Sequence, residues 1–450
     1  MARVPLNPPR HGWSLVVRPR DWASLTQHLF GRRGEHGAVL LAEETDGSRG
    51  KRLLVRHVIL AEEGVDYVPG TTGYRALSAD FVRDCAMLAA AQGLIYVAVH
   101  NHGGWDKVGF SRIDMASHER GYPTLVQLTG RPVVGLVLSR TAAAGDIWLP
   151  DGTRTHLSEL VVPGRNLVRL RSTPTTPVDP EDGGRWDRQA RVYGDLGQAV
   201  LSQMRVAIVG LGGAGSIVCE LLARLGVGQL VLIDSQTATL DNLPRLVAAE
   251  PDDIGLHKTA LGARNARRAH PDITITELRH DVQDPRCIEA LGGCDFIFLA
   301  ADSNAARHLV NQTIETLLIP GFQVGVKVPV TKDGTVGRIH AAVRPLVPGQ
   351  GCLWCNQLIN PTELAIEMSP TAVREAARYV DDVPAASVIA LNAVAVVDAV
   401  NQFMMSTTGL LEDDGNLVPY TITFPRESRV EYHSPRRDPE CPRCGDIRCP

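Results

Sequence analysis

The chain has 450 residues, enough for two or three domains that each bury a core. Its apolar share of 44% and charged share of 21% are ordinary for a soluble globular protein. A formal net charge of −4 excludes a nucleic-acid binder that works by bulk positive charge.

The first ten residues lack the apolar core of a signal peptide, so a cytoplasmic protein is expected. Strand-like runs follow at 38–41, 53–60, 94–100 and 132–138, with a helix-like run at 78–92. The third of these strands ends in His100, Asn101 and His102. Two histidines at i and i+2 of an extended segment point to one side, so both imidazoles can face one metal ion. Asp114, beyond a glycine-containing loop, can add a third ligand and leave a fourth place for water, the open geometry of a catalytic zinc. Asp106 is a rival ligand inside that loop. Ser111 stands three residues before Asp114, and Glu35 stands just before the strand at 38–41. Glu43 and Glu44 rival Glu35 but come after that strand, and His36 and His118 read as surface residues. Residues 171–184 hold three prolines and little apolar content, which predicts an extended linker over 169–184.

From residue 185 to about 403 the patterning alternates between β and α. The apolar run at 205–209 leads into Gly210, Gly212, Gly213 and Gly215, then a helix-like run to 224 and a second apolar run at 229–233 ending in Asp234. This is a β-α-β unit that holds a nucleotide. Its glycines allow close backbone approach, the helix N-terminus favours an anion, and the acid at the second strand end can bind ribose hydroxyls. The glycine turn alone suits NAD as well as other nucleotides. Asn242, Arg245 and Lys258 follow the acid, Asp302 follows the apolar strand at 296–299, and Arg188 precedes the first strand. Any one of these cations would ordinarily be a solvated surface charge, and Asp302 alone could be a helix cap. Strand ends on such a sheet line the ligand crevice, so the set can converge on one triphosphate. The apolar stretch 385–400 is interrupted by Ser387, Asn392 and Asp398 and predicts a buried helix instead of a membrane span.

Nine cysteines fall into two kinds. Cys85, Cys219, Cys287 and Cys294 stand singly in apolar surroundings, as inert core thiols do. Cys352 with Cys355, and Cys441 with Cys444, form two Cys-x-x-Cys pairs that can supply four thiolates to a closed zinc site. Cys449 reads as a free neighbour. No cysteine lies between Asn356 and Glu440, where Thr362, Ser369 and Thr371 offer only hydroxyls, which need a base to act as nucleophiles.

The order of residues from 185 to 444 resembles the adenylating domain of the ubiquitin-activating superfamily, including its ThiF- and MoeB-like enzymes. The resemblance implies a Rossmann-like fold that uses ATP and Mg²⁺, with Asp234 on the ribose, Arg245 and Lys258 on the phosphates beside Asn242, and Asp302 on Mg²⁺. Arg188 would reach into the site, in many relatives from a partner subunit, which implies a homodimer. The zinc held by the four cysteines is structural in that family. Pro244 stands where relatives often carry a polar residue. Relatives that pass their protein on as a thioester carry a loop cysteine after the first zinc pair, so that step is not expected here. Residues 12–165 resemble the JAMM (MPN-type) metalloproteases through Glu35, His100-x-His102 and Ser111-x-x-Asp114. This implies Zn²⁺ on His100, His102 and Asp114, Glu35 as general base and Ser111 at the oxyanion. Eleven residues separate His102 from Asp114 where ten are usual, and Gly103 replaces a common proline.

The expected architecture is α/β: a cytidine-deaminase-like JAMM domain at 1–168, the linker at 169–184, and a Rossmann-like adenylating domain with its zinc clip at 185–450. Together they imply adenylation and zinc-dependent processing of one ubiquitin-like or sulfur-carrier partner with a Gly-Gly-like C-terminus, in a bacterial ubiquitin-like conjugation pathway. A conjugating enzyme or a sulfurtransferase would act downstream, and no nucleic-acid or membrane partner is expected. The alternatives are sulfur delivery by thiocarboxylate, a peptide or small-molecule adenylyltransferase on a non-catalytic JAMM scaffold, and an NAD-binding regulatory protein.

Overall fold

A computed structural model describes residues 6–69, 76–175, 184–369, 386–412 and 418–445. The chain divides into two units, Met1–Val178 and Asp179–Pro450. The first holds β1 (Trp13–Val16), α1 (Pro19–Phe30), β2 (Gly37–Gly47), β3 (Gly50–Leu60), α2 (Ala79–Gln92) and β4 (Ile95–Asn101), then α3 (Arg112–Thr129), β5 (Val133–Leu138), β6 (Ala143–Trp148), β7 (Arg154–Pro163) and β8 (Leu167–Leu170). Their sheet has the order β1-β3-β2-β4-β5-β6-β7-β8, and β1 also pairs with β7, so the sheet curls back on itself.

Strict alternation sorts the side chains of this sheet between two cores. Leu40, Val97 and Leu136 pack with Leu25 and Leu29 of α1 on one face. Val39, Leu41 and Tyr96 pack with Cys85 and Ala86 of α2 and Tyr122 of α3 on the other. Strand β4 is interior, antiparallel to β2 and parallel to β5. The same period that sends Tyr96 toward α2 and α3 sends His100 and His102 there too.

The start of the expected linker is part of this unit. Residues Leu167–Leu170 are strand β8, and Arg171 is buried, with Nη2 3.4 Å from a Glu159 carboxylate oxygen and Nη1 donating to Thr175 Oγ1 at 2.9 Å. A buried guanidinium needs such partners, so the chain stays docked past residue 168. Residues 176–183 of that segment lie outside the described residues.

The second unit holds α4 (Asp187–Gln203), β9 (Arg205–Val209), α5 (Gly213–Arg224), β10 (Gln229–Ile233), α6 (Lys258–Ala269), β11 (Thr274–Leu278), α7 (Pro285–Gly292) and β12 (Phe296–Leu299). It continues with α8 (Asn304–Leu317), β13 (Gly321–Lys327), β14 (His340–Leu346), α9 (Pro361–Glu367), α10 (Ile389–Thr407), β15 (Tyr420–Phe424) and β16 (Arg429–His433). The sheet order is β11-β10-β9-β12-β13-β14-β15-β16. The first five strands in that order are parallel, and the last three continue antiparallel. The chain leaves β9 toward β10 on one side and returns to β12 on the other, which makes a switch point at the C-terminal ends of β9 and β12.

Helix α10 is long and apolar enough to cross a membrane by length and composition. Within this unit it is a core helix: Asn392, Ala395, Val396, Ala399 and Phe403 are buried. The Phe403 ring sits edge-on to Phe296 and Phe298, at 4.9 and 5.5 Å between centroids, and so fastens the helix to β12.

The turn after β9 closes over two glycines. Gly210 has φ +91°, and a Cβ there would stand 2.8 Å from the Ala301 nitrogen. A Cβ on Gly215 would overlap the carbonyl oxygen of Gly210, whereas a Cβ on Gly212 meets nothing within 4 Å. Gly215→Ala should therefore cost the second unit about 3 kcal/mol by overpacking against backbone. Gly212→Ala should cost only about 0.5 kcal/mol. Urea unfolding of the two variants, followed by circular dichroism, measures the difference.

Candidate functional site

In the first unit, α3 begins where Ser111 caps it. Its Oγ accepts from the Asp114 N–H at 3.2 Å, and Asp114 Oδ2 accepts from the Ser111 N–H at 2.6 Å. This reciprocal capping aims the Asp114 carboxylate at the end of β4. There His100 Nε2 and His102 Nε2 lie 3.1 Å apart, and they stand 3.5 and 3.3 Å from Asp114 Oδ1 and Oδ2. Nitrogen and oxygen donors held at about 2.0–2.1 Å from a tetrahedral zinc would be ~3.3 Å apart, so these three side chains fit the ion. Burial alone would raise the pKa of Asp114, but hydrogen bonds from His100 and Ser111 hold it well below the usual carboxylate range. Glu35 Oε1 lies 3.9 Å from His102 Nε2.

The rivals lie elsewhere. Asp106 is exposed and outside the donor cluster. Glu43 and Glu44 pair with Arg56 and Lys51, at 2.6 and 2.9 Å, along the β2–β3 hairpin.

Three supporting residues escape sequence reasoning. Asn101, between the two histidines, points to the opposite face of β4. Its Oδ1 accepts from the His36 N–H at 2.7 Å and its Nδ2 donates to Gly34 O at 3.1 Å, clasping the backbone on both sides of Glu35. His118 and His36 are buried, at 5% and 6% exposure, against the surface positions that the sequence suggests. His118 lies one turn beyond Asp114, stacks on Tyr122 and bonds through Nδ1 to Asp146 Oδ2 at 3.0 Å. Asp146 is itself buried and also accepts from Trp148 and Arg154, at 2.8 and 3.0 Å. A Cβ on Gly135 would collide with the His118 ring, so the glycine in β5 lets α3 seat this closely. The signal for His118 is its 3.6-residue period with Asp114 and Tyr122, which puts all three on the inward face of one helix.

In the second unit, the loops after β9, β10 and β12 meet at the switch point. Asp234, at the end of β10, accepts from the Leu211 N–H at 2.7 Å and from the Gln236 N–H at 2.8 Å. It therefore ties its own loop to the glycine turn that runs through Gly210, Gly212, Gly213 and Gly215. Asn242 and Arg245 lie on a 3-10 turn, Leu240–Arg245, that contains Pro244. Arg245 Nη1 donates to Asp241 O at 2.9 Å, and Asn242 Nδ2 donates to Asp241 Oδ2 at 3.1 Å. Lys258 is buried at the start of α6, with Nζ donating to Gln236 Oε1 at 2.6 Å. Burial lowers its pKa, against the pull of Asp234, Asp241 and Asp302 and with a push from Arg245. These charges thus share one neighbourhood.

Asp302 is exposed after β12. It is not the helix cap: Ser303 is, its Oγ accepting from the Ala306 N–H at 3.2 Å. Asp302 is left to face solvent at the strand ends. Arg188 is exposed in the first turn of α4 and has no ion pair among the described residues.

The four paired cysteines are buried together. Sγ atoms of Cys352 and Cys355 are 3.7 Å apart, those of Cys352 and Cys441 3.8 Å, and those of Cys355 and Cys444 3.4 Å. Sulfurs at about 2.3 Å from a tetrahedral zinc would stand ~3.8 Å apart, so the cluster fits a closed structural zinc site. These thiols share protons: the hydrogen bond from Cys444 lowers the pKa of Cys352, while the Cys352 contact raises that of Cys444 and burial raises that of Cys355. Cys449 and Thr371 lie outside the described residues. Thr362 is exposed in the first turn of α9, and the Ser369 hydroxyl donates to Ala365 O at 2.7 Å.

The ThiF family pattern matches residues 186–443, more than half of the chain. A SAMP-activating enzyme E1 of Haloferax volcanii is 27% identical over 56% of this chain and 84% of its own length. The ubiquitin-like modifier-activating enzyme 5 of Oryza sativa is 32% identical over 33% of this chain and 37% of its own. The molybdopterin-synthase adenylyltransferase of Salmonella typhimurium is 31% identical over 30% and 55%. The chain thus spans less than two thirds of these last two relatives. Among solved structures, E. coli MccB with MccA-N7isoASN is similar at a TM-score of 0.48 and 22% identity, over 59% of this chain and 76% of that one.

Metal analysis by mass spectrometry should distinguish the two clusters. Cys441→Ala is expected to remove the thiolate-held zinc and lower the melting temperature of the second unit. His102→Ala is expected to lower zinc uptake by the set of His100, His102 and Asp114 and leave that melting temperature unchanged.

Proposed function

Because the chain belongs to the ThiF family, we propose that its second unit uses ATP to activate the C-terminal carboxylate of a ubiquitin-like or sulfur-carrier protein. The observation that carries this reading is the convergence of Asp234, Arg245, Lys258 and Asp302 on the glycine turn at the switch point. In this reading the triphosphate lies over the N-terminus of α5, where Gly212 leaves open space and backbone N–H groups favour an anion. Asp234 keeps lone pairs free to accept from ribose hydroxyls, and Asn242 follows it on the 3-10 turn of the same loop. An oxygen of the substrate carboxylate bonds to the α-phosphorus as the bond to the bridging oxygen breaks, and pyrophosphate leaves. Two anions must meet for this, so Arg245 and Lys258 offset the repulsion and the developing charge. Mg²⁺ on Asp302 would add positive charge at the phosphates. Arg188, exposed and unpaired among the described residues, would serve the site of a second copy in a homodimer.

The acyl-adenylate then passes to an outside acceptor, because no cysteine lies between Asn356 and Glu440 to take it as a thioester. An amine reached through a conjugating enzyme and a sulfur donor reached through a sulfurtransferase both satisfy this chemistry.

We further propose that the first unit is a JAMM-type zinc peptidase that trims or releases the same tail. The fit of His100, His102 and Asp114 to zinc supports this, together with the placement of Glu35. A zinc ion there would supply a Lewis acid and a water of lowered pKa. Glu35 is placed to take the proton from that water. The Ser111 hydroxyl, whose oxygen accepts from the Asp114 N–H, keeps its own hydrogen free to donate to the carbonyl oxygen of the cleaved bond. Cleavage after a Gly-Gly end exposes the carboxylate that the second unit consumes.

ATP–pyrophosphate exchange should depend on an added ubiquitin-like protein ending in Gly-Gly. Asp302→Ala should lower it at least 100-fold and leave cleavage of a C-terminally extended substrate intact. Glu35→Gln should do the reverse. Exchange in the absence of any polypeptide, or driven equally by a free metabolite, would overturn the reading. Asn101→Ala should lower kcat for cleavage about tenfold with KM and bound zinc unchanged, because it frees the backbone around Glu35 without removing a ligand.

A further inference from the structure

Two residues past Asp302, at Asn304, a cavity of about 770 Å³ opens that none of the groups assigned above lines. Its floor is one face of the β13–β14 pair, where Gln323 opposes Arg344, Gly325 opposes Ala342 and Lys327 opposes His340. Alternation puts these three rungs on the same side of the sheet. The middle rung has almost no side chain, and each outer rung carries a cation. Arg307 of α8 adds a third cation to the wall.

Arg344 and Arg307 donate their hydrogen bonds to neutral groups, and the buried Arg307 Nε has no partner among the described residues. Arg344 Nη1 donates to Gln323 Oε1 at 2.6 Å, and Arg307 Nη1 donates to Leu358 O at 3.1 Å. Neither they nor Lys327 forms an ion pair among the described residues. Glu363 is the one acid on the described lining, and its Oε2 is engaged by Asn304 Nδ2 at 2.8 Å. Burial pushes Arg344 below its usual pKa, which marks a charge held at a cost and without its counterion.

The trough also has the shape for extended chain. A strand repeats every two residues, or about 6.8 Å, and so matches the spacing of the rungs beneath it. With so little bulk on the middle rung formed by Gly325 and Ala342, a backbone can lie close to the sheet. On the premise that the second unit adenylates a polypeptide tail, we propose that this trough holds the tail just before its reactive end and selects an Asp or Glu side chain through Arg344, Lys327 and Arg307. The substrate class is thereby narrowed to tails that carry an acidic residue upstream of the terminal glycines.

Fluorescein-labelled decapeptides ending in Gly-Gly test this on the full chain without ATP, by anisotropy. Glu is placed in turn at the third to seventh position from the C-terminus, and each peptide is paired with its Gln isostere. At one position the Glu peptide should bind at least tenfold tighter than its Gln partner, and added salt should shrink the gap. Lys327→Gln should cut that preference at least threefold and Arg344→Gln should abolish it, with affinity for the Gln peptide changed less than twofold. Lys327 is exposed, so its variant keeps the test valid should Arg344→Gln fail to fold. Equal affinity of the Glu and Gln peptides at every position, whether tight, weak or undetectable, overturns the proposal, as does a preference that survives in both variants. Binding preference without ATP–pyrophosphate exchange would sink the adenylation reading and leave the acidic subsite. Exchange without any acidic preference would do the opposite.

Discussion

Backbone contact at the turn after β9 governs the second unit. Gly210 lets the turn meet the chain leaving β12 near Ala301, and Gly215 lets α5 start directly beneath the Gly210 carbonyl. Neither position has room for a single carbon more. Because the backbones touch, the end of β12 delivers Asp302 beside the turn, and the Leu211 N–H reaches the Asp234 carboxylate. Three loops from three strands become one rigid rim, and its chemistry follows from that rigidity. Burial still lowers the pKa of Lys258 at the start of α6, and three carboxylates of this neighbourhood offset that loss only in part.

The first unit solves a similar positioning problem with a strand in place of a turn. Successive residues of β4 point to opposite faces, so His100 and His102 look toward α3 while Asn101 looks away and grips the loop that carries Glu35. One three-residue segment thus places two imidazoles and the backbone on both sides of Glu35. The fourth group, Asp114, is set by a helix cap and by the His118–Asp146 contact one turn further along α3. None of the donors depends on a long flexible side chain for its position.

Much of this is legible in the sequence where chemistry coincides with a short period. His100-x-His102, the glycine turn and the two Cys-x-x-Cys pairs each announce a local geometry. The strand and helix runs at 53–60, 94–100, 132–138 and 78–92 correspond to β3, β4, β5 and α2 to within a few residues, because apolar alternation or a Ser78 cap marks them. What sequence reading loses is polarity neutralised from far away. His118 looks like a surface residue until Asp146, on β6, is seen to hold it. Arg171 looks like linker for the same reason, since Glu159 lies across a hairpin. Asn101 is hidden between two louder histidines. That Ser303 caps the helix and frees Asp302 follows only from the geometry of the helix start, since either side chain could fill that role by type.

The four-cysteine cluster closes a long stretch of chain on itself. Cys355 and Cys444 stand 89 positions apart and enclose α9, α10 and the β15–β16 edge hairpin. A covalent cross-link over such a span removes denatured-state entropy worth on the order of 4–5 kcal/mol. A metal joint would do the same only while it is loaded. With a metal in that joint, the β15–β16 edge and α10 would be held on terms set by thiol oxidation and metal supply, and an oxidant or a chelator would loosen one margin of the fold long before it reached the glycine turn.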